Sequence, residues 1–209
     1  MTIHPIVIAG EPVLHQPTRE ITEFDEKLRT LVDDMFETMY AAEGIGLAAP
    51  QVGRSERVFV ADVDGTPYVF VNPEIVSSEG LDRAEEGCLS IPEIFGDVNR
   101  PDWVHARALD RDGNPFEIEA TGLLARCIQH ELDHLDGKLF IDYLSLLKRK
   151  FVMRNWEREA AKYPDFIRRL DPATASQTAE RTRSRRNRPR DDGEQGQADP
   201  TAPPFEPEL

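Results

Sequence analysis

The stretch Gln129-His130-Glu131-Leu132-Asp133-His134 decides how the rest of the chain is read. It lies in a helical apolar pattern running from Leu123 to Leu135. At about 100° per residue, two helical side chains four apart lie within about 40° of each other. His130 and His134 can therefore turn ring nitrogens toward one ion. Glu131 falls to the side of that face, able to reach a water on the ion without being a ligand. This H-E-x-x-H arrangement predicts metal-assisted hydrolysis with the carboxylate as general base. Three fixed positions in five are only moderately specific, and a solvated helix carrying the same residues is the plain alternative.

A catalytic ion of this kind takes a third protein ligand. The five histidines are His4, His15, His105, His130 and His134, so none follows the motif. Gly137 continues the longer pattern H-E-x-x-H-x-x-G-x-x-H, but its last position is Phe140, which has no lone pair to offer. Glu157 and Glu159, on a predicted final helix, remain candidates for the third ligand of a peptidase-type site. Of the two cysteines, Cys127 precedes His130 by three residues. With a rise of about 1.5 Å per residue, an ion between the histidines would sit about 7.5 Å further along the axis. A cysteine side chain plus a metal–sulfur bond of about 2.3 Å reaches roughly 5 Å, so Cys127 is expected to line the pocket wall instead. Cys88, in Glu86-Gly87-Cys88-Leu89-Ser90 on a stretch read as irregular, is the better-placed thiol.

Outward from the motif, Thr22-Glu23-Phe24-Asp25 resembles a capping box. It opens an amphipathic helix through Phe24, Leu28, Leu31, Met35 and Met39, with Gly44 as its stop. Arg57 to Val63 and Tyr68 to Val71 read as a hairpin turning at Asp64-Gly65, and Trp103 to Leu109 with Pro115 to Ala120 as another around Asp112-Gly113. A further helix is predicted from Leu144 to about Lys162, before Pro164. Strands in the middle with helices on either side argue for an α+β fold. Small mixed or antiparallel sheets would pack around the motif helix, with an N-terminal and a C-terminal helix.

The chain has 209 residues, 39% hydrophobic and 31% charged, enough for one domain with polar sequence left over. We place that domain at 1–165 and a disordered tail at 166–209, Arg-rich and then acidic and Pro-rich, with the compositional shift near Asp171. Lys and Arg number 25 against 39 Asp and Glu, a formal charge of −14. From Asp171 onward six Arg face eight acidic residues, so about −12 belongs to the domain. That field disfavours DNA or an anionic membrane as partner. No signal peptide or transmembrane run is visible, which predicts a cytoplasmic protein, and two cysteines in a reducing compartment suggest thiols rather than a disulfide.

A third segment, Gly44-Ile45-Gly46-Leu47-Ala48-Ala49-Pro50-Gln51, offers glycines for close backbone approach and an amide that can donate to a developing oxyanion. Taken alone it also reads as a helix end and tight turn. The three segments in this order resemble the peptide deformylase family, over roughly residues 3–163. The resemblance implies removal of the formyl group from N-formylmethionyl nascent peptides. It implies an ion, Fe2+ with Zn2+, Ni2+ or Co2+ as substitutes, held by Cys88, His130 and His134. By the same similarity Glu131 is general base and acid, Gln51 and the Leu89 backbone N–H stabilise the oxyanion, Gly44, Ile45 and Gly46 align the substrate, and Leu123 and Cys127 wall the methionine slot. Asp133 is read as either a support for the ligands or a solvated carboxylate. Two positions depart from the family pattern: Phe95 stands where some members carry Arg, and Arg126 where an apolar lining residue would suit. A monomer is expected, with the ribosome as a candidate partner through Arg181 to Arg190. A metal-binding factor without catalysis is the rival reading.

Overall fold

The computed structural model describes residues 2–186. In chain order the elements are β1 (Ile6–Val7), α1 (Glu26–Ala41), β2 (Gly46–Ala48), β3 (Val58–Val63), β4 (Thr66–Glu79), β5 (Asp82–Cys88), β6 (Ile91–Arg100), β7 (Trp103–Leu109), β8 (Pro115–Thr121), α2 (Gly122–Leu135), α3 (Leu146–Ala160), β9 (Ile167–Arg168) and α4 (Pro172–Arg186). A five-stranded sheet runs β2-β3-β4-β7-β8, while β5-β6 and β1-β9 form separate two-stranded sheets, and every pairing is antiparallel. The fold is α+β, with small antiparallel sheets around the motif helix α2.

Local chemistry accounts for most of these elements. Asp64 and Gly65 both have positive φ, 61° and 82°, the twist a two-residue hairpin requires between β3 and β4. On β7, Val104, Ala106 and Ala108 face inward while His105 and Arg107 face out, the period-two pattern of a half-buried strand. The inward set packs with Phe59 and Phe70 against Ala125, Cys127, Ile128 and Leu135 of α2. This contact fixes α2 on the sheet and leaves its other face for chemistry. α1 begins one turn later than the capping box suggests: Asp25 is the cap, accepting from the Lys27 and Leu28 amides.

Two regions differ from the sequence expectation. Cys88 is not on an irregular stretch but ends β5, and the hairpin reverses at Leu89-Ser90 into β6 with Cys88 opposite Ile91. Residues 166–186, expected to be disordered, form β9 and α4. Ala175, Ala179 and Thr182 of α4 are buried, and the helix packs on α1. Small residues at helical spacing let the two backbones approach here, without the large apolar side chains that mark a buried helix in sequence. The rest of the tail, including Arg188 and Arg190, lies outside the described residues.

Candidate active site

α2 and the β5-β6 hairpin meet at the motif. A ligand atom from each of Cys88, His130 and His134 lies within 4.8 Å of the others. The Cys88 Sγ is 3.2 Å from His134 Nε2, and His130 Nδ1 is 3.0 Å from Glu86 Oε2, which leaves His130 Nε2 for an ion. Burial holds His134 well below the usual histidine range, which keeps it the neutral imidazole that metal binding requires. For His130 burial acts in the same sense, but hydrogen bonding to Cys88 and Glu86 outweighs it and lifts the ring well above that range. One thiol and two imidazoles form a donor set suited to Fe(II), Zn(II), Ni(II) or Co(II), and three protein ligands leave a position open for chemistry.

Glu131 is buried beside the cluster, and its Oε2 has no hydrogen-bond partner among the described residues. Burial raises its carboxyl to about 7. Such an orphaned oxygen beside three ligands fits a water or substrate group waiting to be bound. The Gly44–Gly46 segment passes directly over it. A Cβ on Gly46 would lie 2.4 Å from Glu131 Oε1 and 2.8 Å from Cys127 Sγ, and one on Gly44 would lie 2.7 Å from Leu89 Cδ1. The two glycines therefore make room for the protein's own side chains, a use the sequence reading did not assign them.

Gln51 sits in a short 3-10 turn, Ala49–Val52, and is 1% exposed. Its Oε1 accepts from the Ala48 amide at 2.8 Å, which turns Nε2 toward Ser90 Oγ at 3.3 Å and Cys88 Sγ at 3.6 Å. Gly44, Ile45, Gly46, Leu89, Leu123, Cys127 and His130 line a cavity of about 440 Å³ against the cluster. Cys127 stands in that wall, its Sγ 3.6 Å from the Ile45 carbonyl, and is not part of the ligand cluster. Glu157 and Glu159 are likewise absent from that cluster.

Behind the ligands lies an ion network that the sequence reading missed. Glu86 accepts from Arg100 at 2.6 and 2.9 Å, from Arg126 at 2.6 Å and from His130. Its burial opposes ionisation, yet His130 and Arg100 hold its carboxyl at about 2. Arg100 reaches on to Asp133 at 2.8 Å, which also accepts from Tyr143 at 2.6 Å. Asp133 is thus buried and bonded, the supporting role rather than the solvated one. Arg126, in the cavity lining, binds Glu86, the Val98 carbonyl and Asp82, so its charge is neutralised and it joins α2 to both hairpin strands. Spacing carried a signal for two of these: Glu86 shares a strand face with Cys88, and Arg126 lies one helical turn before His130.

The family model described as polypeptide deformylase matches residues 3–150. A peptide deformylase from Alkalilimnicola ehrlichii is 51% identical over 162 residues, covering 76% of this chain and 91% of its own. One from Azotobacter vinelandii is 51% identical over 163 residues, covering 76% and 97%. The crystal structure of a peptide deformylase from Legionella pneumophila superposes with a TM-score of 0.75 at 47% identity, covering 78% of this chain and 99% of that one. One from Synechococcus elongatus, in complex with actinonin, gives 0.70 at 43% identity over 73% and 85%. With the three segments assembled around one cluster and a match over most of its length, the chain belongs to the polypeptide deformylase family.

Proposed function

We propose that Cys88, His130 and His134 hold a catalytic divalent ion, iron(II) in the cell with zinc, nickel or cobalt able to replace it. The adjoining cavity receives an N-terminal formylmethionine. The reaction is hydrolysis of a linear amide: the N-formyl group of a newly synthesised polypeptide leaves as formate and a free amino terminus remains. The observation that carries this reading is the three-ligand cluster with a buried, unpartnered Glu131 oxygen in the wall of a peptide-sized cavity.

The bound ion would supply a Lewis acid for the formyl oxygen and lower the pKa of a water. Glu131 takes the proton that the attacking water gives up. As charge develops on the formyl oxygen, Gln51 Nε2 and the Leu89 backbone N–H donate to it, each worth about 2–4 kcal/mol when preorganised. The Ala48–Gln51 bond supplies that preorganisation by fixing which end of the amide faces the site. Glu131 then hands its proton to the departing amine. Backbone groups of Gly44, Ile45 and Gly46 align the substrate strand, and Ile45, Leu123, Cys127 and His130 enclose the methionine side chain. His130 is oriented for ligation by Glu86, which in turn is fixed by Arg100 and Arg126.

The enzyme is read as a cytoplasmic monomer acting on chains emerging from the ribosome. Among the described residues no helix is long and apolar enough to cross a membrane. The direct test is formate release from formyl-Met-Ala-Ser by protein loaded with iron(II) without oxygen. Formate and free amine in equal amounts are expected, with activity lost in air as iron or Cys88 oxidises. Bound metal without formate would favour the non-catalytic reading.

A further inference from the structure

Beyond residue 150, where the family match ends, the chain returns to the catalytic cavity. β9 pairs with β1, Ile6 opposite Arg168. The residues after β1 are tied to the ligand hairpin, where the Ala9 N–H donates to the Ser90 carbonyl at 2.8 Å. Arg168 thereby joins the lining of the cavity that holds Cys88, His130 and Glu131. It is half-buried, and no carboxylate among the described residues pairs with it. The other guanidinium in that lining, that of Arg126, is engaged by Glu86 and Asp82. α4 adds a second change of charge by bringing Arg181 within 3.1 Å of Glu43, a carboxylate on the same lining.

The guanidinium of a half-buried arginine with no carboxylate partner is a site for a carboxylate, which its planar fork can bind in two places at once. With Glu43 paired to Arg181, the repulsion an acidic chain would meet in that lining is reduced to that of Glu85 and Glu93 on the hairpin. We propose that Arg168 binds a substrate carboxylate beyond the formylmethionine, so that chains with Asp or Glu after the initiating residue are preferred. This rests on reading the cavity as a formylmethionyl-peptide site.

The test compares kcat/KM for formyl-Met-X-Ser and formyl-Met-Ala-X, each amidated at its C-terminus so that the side chain of X supplies the only carboxylate, with X as Asp, Ala or Lys, in the full chain and in Arg168→Gln, Arg168→Lys and Arg168→Glu. In the unaltered protein Asp should exceed Lys by roughly three- to tenfold in at least one series at low salt, less at high salt. Arg168→Gln should bring that ratio to about one or below and Arg168→Glu should invert it. Arg168→Lys should keep part of it, and turnover of the Ala peptides should stay within about twofold throughout. The same Asp to Lys ratio in Arg168→Gln as in the unaltered protein, or no preference to begin with, would overturn the proposal. Failure of the Ala peptides to release formate in the unaltered protein would overturn the functional reading and this inference with it.

Discussion

Replacing Glu86 with Gln tests the network behind the ligands. The carboxylate accepts four hydrogen bonds, three from Arg100 and Arg126 and one from His130, and it is 5% exposed. Breaking a buried ion pair by removing one partner costs about 3–5 kcal/mol, reduced here because Arg100 keeps Asp133 and Arg126 keeps Asp82. Linkage gives a second estimate. His130 and Arg100 hold the carboxyl at about 2 against a usual 4.5, worth about 3 kcal/mol at about 1.4 kcal/mol per unit. Because the folded value is depressed, that stability is complete above about pH 4.5 and is lost as pH falls toward 2. Urea unfolding of metal-free protein, followed by circular dichroism, should place the variant about 3 kcal/mol below the unaltered chain at pH 7 and about 2 kcal/mol below at pH 3.5. A deficit under about 1 kcal/mol at pH 7, or one that does not change with pH, would refute the assignment.

Other substitutions probe the site and the fold separately. Gly46→Ala drives a Cβ against Glu131 and Cys127; formate release should fall by about 100-fold while metal content holds, measured by elemental analysis beside the activity assay. Cys88→Ser should lower metal occupancy in competition with a chelator, whereas Cys127→Ser should leave it unchanged. Reversed results would place the wrong thiol at the ion. Ala179→Glu puts a charge where α4 meets α1, and a loss of about 1–3 kcal/mol in unfolding free energy is expected. Unchanged stability would mean α4 contributes nothing to the core.

What the sequence made legible was local. Asp64-Gly65 announces its hairpin because only certain residues accept positive φ, and the two histidines announce a ligand face because helical spacing places them together. The β5-β6 hairpin hid because Glu85, Glu86, Gly87 and Pro92 read as loop-formers, although Glu86 is buried by three cationic or ring partners from elsewhere in the chain. Arg126 and Asp133 looked like surface residues or misfits for the same reason: their neutralising partners lie 33 to 44 residues away. α4 was missed because an Ala–Ala–Thr stripe carries little hydrophobic signal until a second helix is set against it. The His130–His134 spacing could be read because it is set at short range, but the residues that support it required the fold.

The proposal that Glu131 moves the proton is tested most directly by Glu131→Ala. Metal content and formate release from formyl-Met-Ala-Ser should be measured on one preparation. Full metal occupancy is expected, with activity reduced by about 100-fold to 10,000-fold. Near-normal formate release from the metal-loaded variant would contradict it.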